Sequence, residues 1–127
     1  MTLEELNSIP YLANEIARYD SQLFLLEKEK RSITIAGAFV AEYDAAVNEY
    51  RRILTEHREQ RKQELSKLLK FIDDISDPFK KAVFTARFIE NKSWWEVADS
   101  VAEWGSYTNK SVSEVCRTYL ERSIRPN

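Results

Sequence analysis

Residues 108–117 read TNKSVSEVCR, a run of polar side chains able to exchange hydrogen bonds with base edges or phosphates. Asparagine pairs with adenine, arginine with guanine, serine and threonine with either, and glutamate accepts from the cytosine amino group. Side chains at the N-terminal end of a helix lying in the major groove reach furthest toward the bases. Asn109, Lys110 and Ser113 are therefore candidate readers, and Arg117 either reads a base or holds a phosphate. Thr108, Ser111 and Glu114 complete the candidate set, the last two also being typical of a helix start. A second basic group, Lys80, Lys81, Arg87 and Lys92, precedes this run. Ammonium and guanidinium groups in such positions neutralise phosphates, which sets affinity and its salt dependence but not sequence choice. The same residue types equally suit an ordinary solvated helix face and a need for solubility.

The inventory for catalysis is thin. The chain holds one histidine, His57, and one cysteine, Cys116. No glycine-rich phosphate loop occurs, and no Cys/His cluster has metal-ligand spacing. Carboxylates are scattered along helix surfaces, so no acid/base pair stands out. We expect no enzyme activity, no cofactor and no metal. Trp94, Trp95 and Trp104 could stack on unpaired bases. Trp94 is better placed for a core, and one of the other two marks a contact surface for a protein partner.

The elements that must position these residues follow from caps and periodicity. Ser93 and Glu96 form a capping box, in which serine caps a free N–H and glutamate reaches back to the backbone. Apolar Trp94, Val97, Ala98 and Val101 then recur on one face. Ser111 and Glu114 repeat the box, with Thr108 able to cap one turn earlier. Val112, Val115, Tyr119 and Leu120 make the inner stripe of this last helix. Upstream, Asp77 is a good N-cap and Pro78 a good first helical residue, opening a helix with Phe79, Val83, Phe84, Phe88 and Ile89 directed inward. Three helices are thus predicted, at 78–89, 94–101 and 112–122. The last two, joined by a glycine-containing turn lengthened by residues 102–106, match a helix-turn-helix unit.

Ahead of them lies a different pattern. Ile9, Leu12, Ile16, Tyr19, Leu23 and Leu26 alternate three and four residues apart, a heptad seam on a helix predicted from Pro10 to about Arg31. Residues 32–37 (SITIAG) break it. A second seam runs Val40, Tyr43, Val47, Tyr50, Leu54, His57 and Arg61, then shifts to Leu65, Leu68, Ile72 and Ile75. Phe24 and Phe39 are satellite packing residues. The basic run from Arg51 to Lys70, interleaved with Glu56, Glu59 and Glu64, reads as a solvated face laced with ion pairs. The expected architecture is all-α: a long antiparallel helical hairpin over residues 1–76 and a three-helix domain over 77–127.

Composition agrees. Of 127 residues, 43% are hydrophobic and 31% charged, with two glycines and three prolines, a balance suited to helix. The net charge of −2 gives no global basic footprint. Charge is uneven, however: residues 1–50 hold 4 Lys/Arg against 9 Asp/Glu, whereas residues 78–127 hold 8 against 6. The more basic end is the one carrying the candidate readers. One cysteine allows no intrachain disulfide, which suits a reducing compartment. No apolar run approaches the roughly 20 residues of a membrane span, and nothing resembles a signal peptide, so a cytoplasmic protein is expected.

The residues that carry this pattern also carry a resemblance. Residues 78–120 resemble the region-4-like helix-turn-helix of sigma-70-type factors, and in particular the small phage transcriptional regulators of the ArpU/RinA type. The matching motifs are Phe88-Ile89-Glu90-Asn91-Lys92-Ser93-Trp94, then Glu96-Val97-Ala98, then Tyr107 through Val112, Val115 and Leu120. The opening Leu6-Asn7-Ser8-Ile9-Pro10-Tyr11-Leu12 is similar to the start of the same proteins. The resemblance implies a sequence-specific DNA-binding transcriptional regulator encoded by a phage or prophage and working in the bacterial cytoplasm. Its partners would be double-stranded DNA, RNA polymerase or another host protein, and a second copy through the hairpin. Two other classes fit the residues: a helix-turn-helix-based interaction module that inhibits or adapts a host polymerase or defence nuclease, and a small DNA-packaging subunit.

Overall fold

A computed structural model describes residues 1–35 and 41–124, with side chains at 1–29 and 43–123. The described residues are mostly helical and contain no strand. The order is α1 (Leu3–Asn7), α2 (Ile9–Ile35), α3 (Ala41–Asp73), α4 (Pro78–Phe84) running on as a π-helical turn (Thr85–Ile89), α5 (Trp94–Ser100), a 3₁₀ turn (Ala102–Trp104) and α6 (Asn109–Ile124). The all-α expectation is met.

The chain packs as two units, one of Met1–Pro10 with Leu65–Asn127, the other of Tyr11–Glu64. The expected division at 76/77 falls elsewhere because the last turns of α3 belong to the C-terminal unit. Leu68, Ile72 and Ile75 are buried there together with Leu6 and Ile9. The Phe71 ring meets those of Phe84 and Tyr119, at 6.4 and 6.1 Å between centroids. The rest of that core is Val83, Phe84, Ala86 and Phe88, Val97, Ala98 and Val101 of α5 and its end, and Val112, Cys116 and Leu120 of α6.

In the other unit, Leu26, Val47 and Leu54 form the buried cluster, flanked by Tyr19, Leu23 and Tyr43. Cross-helix pairs set α2 and α3 antiparallel: Glu15 meets Arg61 at 2.7 Å, Asp20 meets Arg58, and Glu27 meets Arg51. As the position on α2 advances, its partner on α3 recedes. The basic run of α3 is therefore not only a solvated face. Three of its arginines bridge the two helices, while Arg52 stays on α3 with Glu49 and Glu56. Such pairs orient the helices more than they stabilise them, since exposed charges are screened.

Several boundaries move. α2 starts at Ile9 and stays helical through Ile35, so residues 32–35 of the expected break are helix. The rest of that break, with Phe39 and Val40, lies outside the described residues. Phe24 is no satellite of the packing: it is 69% exposed. Tyr50 and His57 of the second seam also face solvent, His57 meeting the Tyr19 ring edge-on at 6.0 Å.

Candidate nucleic-acid interface

Three local devices position α6. First, Asp77 caps α4 by accepting from the backbone N–H groups of Phe79 and Lys80, with Pro78 as the first helical residue. Where the sequence predicts one helix to residue 89, the ladder widens after Phe84, and Glu90 N–H donates to Thr85 O at 2.9 Å, five residues back. Asn91 then takes φ of 55°, a left-handed turn that asparagine tolerates better than most residues. Ile89, expected inside, is left exposed by this ending.

Second, the Ser93–Glu96 capping box forms as expected, with Glu96 N–H donating to Ser93 Oγ and Ser93 N–H donating to Glu96 Oε1 at 3.1 Å. The Ser93 backbone N–H, and after it the Ser93 hydroxyl, hold the Glu96 carboxyl below the usual carboxylate range. Third, α6 begins at Asn109 instead of residue 112. Thr108 is its cap: Ser111 N–H donates to Thr108 Oγ1 at 3.1 Å, and Thr108 N–H donates to Ser111 Oγ at 2.8 Å. The reciprocal box thus pairs Thr108 with Ser111, not Ser111 with Glu114.

Both hydroxyls of that box are committed to the backbone, and their role is to fix the entry of the helix. Asn109 and Ser113 are half-buried, displaced toward the core side of the helix. Lys110, Glu114, Arg117, Thr118 and Glu121 are exposed. Arg117 Nη2 donates to both carboxylate oxygens of Glu114, at 2.9 and 2.6 Å. The glutamate, by that bond and by its charge, pushes the guanidinium further into its charged form. Of the outward candidates only Lys110 makes no ion pair with a described residue.

The second basic group is dispersed. Lys81 pairs with Asp73 at 3.2 Å and Lys92 with Glu90 at 3.7 Å. Arg87 donates to the Lys92 carbonyl at 2.9 Å and lies over the Trp94 ring, 4.5 Å from its centre. That guanidinium closes the turn into α5 and half-covers Trp94. Lys80 reaches toward α6, its Nζ 5.8 Å from the centre of the Tyr119 ring. It stands in a groove of about 300 Å³ lined by α4 and α6, with Ser111, Glu114, Val115, Thr118 and Arg122 on the α6 side. Thr118 and Arg122 were not among the sequence-level candidates. Their signal was available, since Ser111, Val115, Thr118 and Arg122 recur at spacings of four, three and four.

Trp95 is 68% exposed and Trp104 is 42% exposed. Phe79, expected in the core, instead stacks on Tyr107 at 4.7 Å between ring centres, with Trp104 at 6.1 Å. Cys116 is buried on the inner side of α6, which pushes its thiol up to about 12. Among the described residues no group of three His, Cys, Asp or Glu could hold a metal ion, and no helix is long and apolar enough to cross a membrane. Comparison of the chain with family models, curated proteins and solved structures finds no match in any of the three.

Proposed function

We propose that this chain is a sequence-specific DNA-binding transcriptional regulator of phage or prophage origin, with α5 and α6 as its helix-turn-helix and α6 as the reading helix. The observation that carries the reading is the two-sidedness of α6. Its inner stripe of Val112, Cys116 and Leu120 is locked into the core, and its ends are fixed by the Thr108 cap and by packing on α4 and α5. Its outer side, Lys110 to Glu121, takes no part in the fold. Sixteen residues make a rod of about 24 Å, which the major groove, about 12 Å wide, accepts end-on or obliquely. The first turn of α6 carries no acidic residue, so its positive dipole end faces a phosphate chain without an opposing carboxylate. The resemblance of residues 78–120 to the ArpU/RinA-type regulators supports the same conclusion.

The test is a fluorescence-anisotropy titration of the purified chain against duplex fragments from phage regulatory regions. Binding is expected; Lys110→Ala, at a candidate base contact, should weaken it by about 1–3 kcal/mol, several-fold to a hundredfold, and Arg117→Ala should weaken it further by leaving the Glu114 carboxylate unpaired. Undetectable binding at low salt, or equal binding by the double variant, refutes the reading.

One observation favours a second reading. Trp95 is 68% exposed on α5, a large apolar surface that neither core nor DNA reading uses, and tryptophan is the residue type most enriched in protein-binding hot spots. In that reading the unit docks on a host polymerase or nuclease. Trp95→Ala abolishing co-purification of a nuclease-resistant complex would establish it.

A further inference from the structure

We infer that the α4–α6 groove is the phosphate-gripping surface of this chain, with Lys80 and Arg122 as its two cations and the Thr118 hydroxyl between them as a donor to the DNA backbone. The inference rests on the DNA reading and adds which strip of α6 faces a strand.

It follows from where positive charge remains unpaired. Lys81, Lys92 and Arg117 each have a carboxylate partner, and Arg87 is committed to a backbone carbonyl and an indole ring. The outermost strip of α6 offers Lys110 and Arg117 against Glu114 and Glu121, so its charges cancel. The strip beside α4 is different: Lys80 and Arg122 both line the groove and neither forms an ion pair with a described residue. The Tyr119 ring under the Lys80 ammonium holds that cation at the groove wall without neutralising it. Arg122 brings a planar fork suited to two phosphate oxygens. Thr118, one turn before Arg122, is exposed, and its hydroxyl bonds to no described residue. Glu114 is the one acid in the lining, and its carboxylate is the group that Arg117 grips through both oxygens. Arg117 thus acts here as a shield, neutralising the carboxylate that would repel a phosphate.

The experiment is a salt-series anisotropy titration of full-length Lys80→Gln/Arg122→Gln on a mixed-sequence duplex. Lys67→Gln on α3, outside the groove lining, serves as the control, and circular dichroism verifies helicity. Each lost phosphate contact lowers the slope of log affinity against log salt by about 0.9, so the double variant should lose about 1.8. Glu114→Gln should raise affinity, and Thr118→Glu, an exposed change that leaves the core intact, should abolish binding. Wild-type binding with an unchanged slope in Lys80→Gln/Arg122→Gln and unchanged affinity in Thr118→Glu overturns the groove while leaving the DNA reading. Wild-type failure to bind duplex at low salt overturns both. A loss confined to single-stranded oligonucleotides overturns the groove as a duplex site.

Discussion

At the scale of single residues, two positions are constrained by things their neighbours in the sequence do not show. Gly105 sits at φ of 145°, a region nearly closed to residues bearing a Cβ, and a methyl there would lie 3.3 Å from the Tyr107 ring. Gly105→Ala should therefore cost on the order of 1–3 kcal/mol, lowering the midpoint of thermal unfolding. Because Tyr107 stacks on Phe79, the near-ultraviolet dichroism of the aromatic residues should change as well. An alanine variant that melts with wild type and keeps that spectrum would refute the assignment. Cys116 makes the second prediction. Its thiol is pushed from an ordinary 9.0 to about 12 by burial, so the folded chain binds that proton more tightly than the unfolded one. The resulting stability is intact below pH 9 and is lost as pH rises from 9 toward 12. Melting curves across that range should fall more steeply for wild type than for Cys116→Ala, which starts lower but lacks the titration. Native Cys116 should also resist thiol reagents until the chain unfolds, since the thiolate is the reactive form.

At the scale of elements, caps decide where the three C-terminal helices begin. Ser93→Ala removes the acceptor for Glu96 N–H and should cost about 1 kcal/mol, or a melting shift of about 4–8 °C for a unit of this size. The Glu96 carboxyl, held below its usual range by the N–H and hydroxyl side of the same box, favours the fold above its unfolded value. That contribution fades as pH falls through the folded one, so the wild-type advantage over Glu96→Gln, which has no carboxylate to titrate, should shrink in acid; a constant difference would contradict the box. Ser93–Glu96 and Asp77–Pro78 were legible because a cap is a local contract between side chain and backbone a few residues apart. The start of α6 was not, because Thr108–Ser111 and Ser111–Glu114 offer the same spacing and only packing of Val112 against the core selects between them. The π-helical turn was invisible for a similar reason: residues 85–89 have ordinary helix formers, and the widening becomes apparent only where Glu90 N–H finds Thr85 O. Of the candidate site, exposure of Lys110 and Arg117 could be read from period alone. The packing of Arg87 against Trp94, and the shared groove of Lys80 and Arg122, depend on how separate elements pack together, which no spacing within one helix encodes.

At the scale of the molecule, the second unit poses the remaining physical problem. Two antiparallel helices can turn one stripe each toward the other, and here Leu26, Val47 and Leu54 satisfy that stripe. They cannot also cover the flanks, and Phe24, Leu25, Tyr50 and Ile53 stay exposed. Exposed apolar side chains on a two-helix unit are surface that association with a second copy would bury. Under the proposed DNA-binding function, and with a net charge of −2, pairing would have a direct use: linking two weak heads raises avidity by about 10² to 10⁴ when both half-sites can be engaged. We therefore expect sedimentation velocity to find a dimer. Phe24→Glu with Tyr50→Glu should make it monomeric while leaving the melting of the C-terminal unit in place, because neither residue belongs to that core. The same double variant should bind a single half-site as wild type does, yet lose the gain that wild type shows on two half-sites spaced by about one helical turn, 10–10.5 bp. A monomeric wild-type chain would leave α6 as a reading helix acting alone. A dimer that survives both substitutions would move the contact to another face, and the half-site comparison separates these outcomes from a failure of DNA binding itself.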